Sequence, residues 1–183
     1  VYKRVDHIVV LSPGFRRLLI ERGVPSEKID VIYNWCAEDS ISDRGGDFPA
    51  GLPAEGFRVL FAGNMGKAQA LPAVLEAAEI LSHEAPTVKF VFLGGGVEVD
   101  RLKEMTEKKG LGNVSFLSPV PMNEVGKYLG AADALLVHLK KDPLFRITIP
   151  SKTQAYMAAG KPIIMGVDGD AADLVREGQC GYV

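Results

Sequence analysis

The sequence predicts an α/β domain in which a parallel sheet carries helices on both faces. Two observations predict it. Short β-rich apolar runs alternate with longer segments of helical periodicity along nearly the whole chain. The strand runs are apolar without alternation, the pattern of strands covered on both sides. With 183 residues, 47% of them hydrophobic and 24% charged, the chain is able to bury a substantial core.

The elements follow in order. His7 to Leu11 is the first strand. Ser12-Pro13 opens a helix, with Ser as cap and Pro in the first turn, and that helix ends near Gly23. Asp30 to Tyr33 is a second strand. Residues 38–56 are rich in Gly, Pro, Asp and Ser and read as a linker between residues 1–37 and a main domain over 57–183. Trp35 is expected to pack at that boundary. The main domain then runs as strand Phe57–Ala62, a Gly63–Gly66 turn, helix 70–82, strand Val88–Leu93 and three glycines. Helix 97–109, strand 114–117, helix 121–129 and strand Ala134–His138 follow. A loop over Asp142 to Ile149 leads to a helix that starts at Pro150-Ser151 and ends at Gly160. Strand Pro162–Met165 and helix Asp170–Glu177 complete the pattern, giving about five strands after residue 56.

Composition narrows the function. The net charge is −2 and no basic stripe is visible, which argues against a nucleic-acid partner. No apolar run approaches the roughly 18–20 residues of a membrane span, and no signal peptide is evident. The first residue is Val1, so an upstream segment is expected. Cys36 and Cys180 have no Cys or His at ligand spacing, so no metal site is expected, and their number suits a reducing cytoplasm.

Three strand ends carry candidate chemistry, since open α/β sheets bind ligands at the carboxyl ends of their strands. The turn Gly63-Asn64-Met65-Gly66-Lys67-Ala68-Gln69 combines close backbone approach, a cation and a following helix, a combination that suits an anion. Gly94-Gly95-Gly96 permits equally close approach. Either stretch reads as well as a plain turn, and composition leaves both open. Around Arg146 to Gln154, Pro150 followed by Ser151, Lys152 and Thr153 places free amides beside hydroxyls and a cation, and here an anion cradle is favoured over a well-capped helix. His7 and His138 read as packed, satisfied histidines. Asp168-Gly169-Asp170 reads as a turn with a helix cap. No set of catalytic residues stands out.

At these loops the sequence resembles the C-terminal half of group 1 (family 4) retaining glycosyltransferases, which have the GT-B fold. The stretches carrying the resemblance run in order: Val5–Ser12, Lys28–Trp35, Phe61–Gly66, Val91–Gly96, Ala131–Val137, Pro150-Ser151-Lys152, and Tyr156–Pro162. The Pro-Ser-Lys form is most similar to transferases of bacterial surface-polysaccharide assembly. The resemblance implies a Rossmann-like parallel sheet, truncated at its C-terminus, preceded by a remnant of an N-terminal domain. It implies that the diphosphate of a donor, expected to be a UDP-linked sugar, lies on Gly63, Asn64, Gly66, Lys67 and Gln69 and on Ser151, Lys152 and Thr153. Base and ribose would meet Gly94, Gly95, Val120 and Gln154, and the sugar would face Arg146 and Thr148. The saccharide or lipid-linked acceptor, and the family's histidine near the reaction centre, would belong to the N-terminal domain. No cofactor is implied beyond the nucleotide-sugar substrate. A cytoplasmic location, peripheral at the membrane for a longer protein, is the matching expectation. The family's two glutamates, eight residues apart, are replaced here by Ile147 and Ala155. A nucleotide-sugar epimerase of related architecture and a non-catalytic nucleotide-binding module stand as alternatives. A nicotinamide-type domain ranks low, because the sequence lacks the glycine fingerprint and acidic partner of that class.

Overall fold

A computed structural model describes residues 2–36, 41 and 47–183. Much of the 38–56 linker, residues 38–40 and 42–46, therefore lies outside the described residues. The first unit pairs β1 (Ile8–Val10) with β2 (Ile29–Val31) in parallel, joined through α1 (Pro13–Glu21). Ser12 caps α1 by accepting from the Phe15 amide, and Pro13 occupies the first turn, as the sequence implies. Val10, Leu19, Val24 and Ile29 form its small core.

The main unit is a six-stranded parallel sheet. Its strands are β3 (Phe57–Ala62), β4 (Val88–Leu93), β5 (Val114–Leu117), β6 (Ala134–His138), β7 (Ile163–Gly166) and β8 (Gly181–Tyr182). Their spatial order is β5-β4-β3-β6-β7-β8, with every neighbouring pair parallel. The chain thus starts in the middle, builds outward on one side, then returns and builds outward on the other. The reversal between β3 and β6 is the topological switch point of a doubly wound sheet.

Two apolar clusters cover the faces. Along β3, Val59 and Phe61 join one cluster, and Leu60 and Ala62 the other. The first is closed by α2 (Pro72–Glu84) and α3 (Val99–Lys109), through Val74, Leu75, Ala78 and Leu102. The second is closed by α4 (Met122–Ala131), α6 (Lys152–Ala158) and α7 (Asp170–Glu177), through Leu129, Tyr156, Ala159, Ala171 and Val175. Burial on both faces explains why these strands read as unbroken apolar runs.

Four expectations need correction. The 142–149 segment is not only a loop. Asp142 caps a short helix, α5 (Pro143–Arg146), by accepting from the Leu144 amide. The sheet has six strands after residue 56 rather than about five, because the two-residue β8 carries too little sequence for periodicity to register. Trp35 does not pack at the boundary; its side chain is 85% exposed. His7 is also exposed rather than packed, and Nε2 pairs with Asp30 at 2.6 Å. Among the described residues no helix is long and apolar enough to cross a membrane.

Candidate functional site

At the switch point, the place where doubly wound sheets seat their ligands, β3 and β6 part. Their register holds only at Val59–Ala134 and Leu60–Leu135. Beyond Leu60 the backbone groups of β3 on the β6 side need other partners. Tyr156 supplies them. Its buried hydroxyl accepts from the Ala62 amide at 2.9 Å and donates to the Ala62 carbonyl at 3.2 Å. Burial pushes the phenol pKa well up, so the hydroxyl stays protonated and keeps both roles.

This anchor fixes α6 against the end of β3, and Lys152 stands one turn before Tyr156 on that helix. Its side chain crosses the end of the sheet from the α6 face to reach Phe61, which belongs to the opposite cluster. Nζ lies 3.5 Å from the centroid of the Phe61 ring. A Cβ built on Gly63 would stand 3.3 Å from the same nitrogen. The ammonium is buried and has no hydrogen-bond partner among the described residues. Desolvation lowers its pKa to about 7, and the ring face offsets only part of that cost. A buried, unpartnered ammonium at the switch point marks Lys152 as a candidate receptor for an anion.

The turn after β3 meets Lys152 at Gly63. The Gly63 amide donates to Leu93 O, Met65 to Gly95 O, and Gln69 to Gly66 O. The Gln69 side chain accepts from the Gly66 amide at 3.0 Å. Asn64 and Lys67 keep amides without an intrachain acceptor among the described residues, and both side chains are exposed. Gln69 therefore shapes the turn, and Asn64 and Lys67 are its outward donors.

The glycine run after β4 has a reason within the chain itself. Gly94 (φ 138°) and Gly96 (φ 146°) adopt backbone open mainly to glycine, and a Cβ on either would overlap the backbone of Gly63 or Met65. The close approach here is of one strand end to another. Gly95 faces Pro119, at 3.3 Å from a built Cβ, and Val120 is half-buried against the core. Gly94, Gly95 and the 119–121 segment thus form one wall.

The remaining predicted residues stand around α5 and α6. Ser151 is exposed at the head of α6, and Thr153 is buried with its hydroxyl unpartnered among the described residues. The Gln154 amide, with its nitrogen toward the helix start, donates to Ser151 O at 3.2 Å and Pro150 O at 3.3 Å. It is turned back on its own helix. Arg146 is exposed, and the Thr148 hydroxyl donates to Leu144 O at 2.8 Å. Ile147 packs on Gly14 of α1, and Ala155 against the core. Both apolar replacements are used in packing. No cluster of His, Cys, Asp and Glu able to hold a metal occurs among the described residues.

Sequence reasoning missed three contributors. Tyr156 and Phe61 set the position and burial of Lys152. His138, at the carboxyl end of β6, binds Gln69 O through Nδ1 at 2.7 Å. Its place at a strand end beside the switch point was the available signal.

A doubly wound sheet with a buried lysine beside a glycine turn at its switch point has the architecture in which α/β domains place their ligand sites. The model of the family described as glycosyl transferases group 1 matches residues 47–183, and the chain belongs to that family. The Pseudomonas aeruginosa protein described as "Probable glycosyltransferase WbjE" is 29% identical over 188 residues, which covers all of this chain and 46% of that protein. Anabaena HepE in complex with UDP is similar in structure, with a TM-score of 0.79 at 18% identity over 99% of this chain and 50% of that one. WaaG, a glycosyltransferase involved in lipopolysaccharide biosynthesis, gives 0.77 at 16% identity over 96% of this chain and 48% of that one. The fold is that of one half of a GT-B enzyme, and the chain spans about half the length of these relatives.

Proposed function

We propose that this chain is the donor-binding half of a glycosyltransferase that moves a hexose or N-acetylhexosamine from a nucleoside-diphosphate sugar to a saccharide or lipid-linked acceptor. The observation that carries the proposal is Lys152: a buried, unpartnered ammonium beside Gly63 at the switch point. Burying a charge without a partner is costly, and a site that keeps one is built for a counter-charge. In this reading the diphosphate lies between Lys152 and the outward amides and side chains of Asn64 and Lys67. The base lies along Gly94, Gly95 and Val120, and the sugar faces Arg146 and Thr148. As the glycosidic bond breaks, negative charge grows on the departing diphosphate, and these fixed donors stabilise it. Retention at the anomeric carbon, an acceptor held by a second domain, and a cytoplasmic setting belong to the same proposal. HepE with UDP and UDP-glucose supports a uridine donor by analogy of fold.

Calorimetric titration with UDP, GDP and ADP tests it. One diphosphate is expected to bind, and Lys152→Ala is expected to weaken it by about tenfold or more, as loss of a buried charge-assisted contact implies. Equal affinity of the variant would reject Lys152 as the receptor.

One observation favours a second reading, a nucleotide-binding module without turnover. Ile147 and Ala155 are apolar and packed, and Gln154 is turned away, so the ribose and sugar have fewer polar partners than the resembling family offers. Donor hydrolysis or transfer by a protein that includes the second domain separates the two.

A further inference from the structure

The turn that would receive the diphosphate is held by the end of β6 as well as by β4. Lys140 donates its amide to Ala68 O at 2.9 Å, and His138 Nδ1 lies 2.7 Å from Gln69 O. A backbone carbonyl only accepts, so Nδ1 carries the proton. The ring has room because Gly166 on β7 lacks a side chain; a Cβ there would overlap imidazole Cδ2. The tie also holds strain. Ala70, directly after Gln69, is left-handed at φ 47°, a conformation unfavourable for alanine.

We infer that His138 is a positioning residue of the donor site: by gripping Gln69 O it fixes the 66–70 turn in its anion-receiving shape. Gln69 relays the grip in two directions. Its carbonyl is held by His138, while its side-chain oxygen holds the Gly66 amide at 3.0 Å. The outward amide of Lys67 lies between these two points. Releasing the carbonyl frees Ala70 to leave its strained conformation, and the turn then has to be reordered each time an anion binds. The inference rests on the donor-site reading above.

The test uses two substitutions in the 183-residue chain, with UDP as the probe. Asparagine places an amide N–H near the position of Nδ1, whereas leucine removes the donor and keeps bulk. His138→Leu is expected to weaken UDP binding by about tenfold, through the cost of ordering the turn. His138→Asn is expected to stay within about threefold of the parent. Amide exchange of residues 66–70 without ligand should accelerate in the leucine variant and not in the asparagine one. Unchanged affinity in His138→Leu, or equal loss in both variants, would overturn the inference. Should the parent bind none of UDP, GDP and ADP, the donor-site reading fails, and the exchange rates alone then decide whether His138 holds the turn.

Discussion

Lys152 is the residue on which charge and burial conflict most. Its folded pKa of about 7 lies below the roughly 10.4 of an unfolded lysine. Between those values the unfolded chain binds more protons than the folded one. Stability therefore rises with pH across that window and is insensitive to this group below it. Replacing it with methionine, which fills similar space without a charge, is expected to stabilise the ligand-free chain most at pH 7 and below. The upper bound is about 5 kcal/mol from the shift itself. The advantage should shrink as pH rises and vanish above about pH 10.5. Urea unfolding midpoints of the parent and Lys152→Met at pH 7 and pH 10 check this, and a pH-independent difference would contradict it. A bound diphosphate should raise the lysine pKa again. Binding near pH 7 should accordingly take up a proton and weaken as the solution becomes alkaline.

At the scale of elements, the contact between α6 and β3 decides where that lysine stands. Tyr156→Phe keeps the ring and removes the hydroxyl, leaving the Ala62 amide and carbonyl buried without their partner. A loss of about 1–3 kcal/mol is expected from an orphaned buried group, read as a lower unfolding midpoint. If the anchor also aims Lys152, UDP affinity falls in the folded variant as well. Elements of this size were legible where periodicity had enough residues to work on. The spans of β3 to β6 follow the apolar runs residue for residue, and β3, β4 and β6 are buried over most of their length while the edge strand β5 is half-buried. The short elements were harder. β8 is two residues long, and α5 is four, though Asp142-Pro143 is itself a cap followed by a first-turn proline. Within the site, the Gly63–Gln69 turn was legible as a glycine turn open to either a structural or an anion-binding reading, and Lys152 as part of a favoured anion cradle. Their meeting was not, because it depends on the parting of β3 from β6 and on a side chain crossing the sheet end. The glycines after β4 were visible as close-approach residues, but only the fold shows that Gly63 and Met65 are what approaches them.

At the scale of the whole chain, the small β1–α1–β2 unit and the six-stranded sheet meet at the start of α1. Asp170, the first residue of α7, is buried there and accepts from the Gly14 amide and from Arg17 Nη2 at 2.9 Å. One carboxylate thus sits at the N-termini of two helices, where the helix dipoles favour negative charge. Beside it the Ser12 hydroxyl donates to Ile147 O, and Gly14 is packed so closely on Ile147 and Asp170 that a Cβ has no space. The loop carrying Arg146 and Thr148 is therefore gripped from the first unit. Arg17 is largely exposed, so its ion pair alone contributes little, about 1 kcal/mol or less. The Gly14 amide is buried, and its loss of an acceptor costs more, about 1–3 kcal/mol. Asp170→Ala is accordingly expected to destabilise by clearly more than Arg17→Ala. It should also uncouple the units, so that unfolding followed at Trp35, beyond β2, precedes unfolding followed by far-ultraviolet dichroism of the sheet unit. Coincident transitions in Asp170→Ala, or equal losses in the two variants, would show that the units are joined by their apolar contacts rather than by this carboxylate.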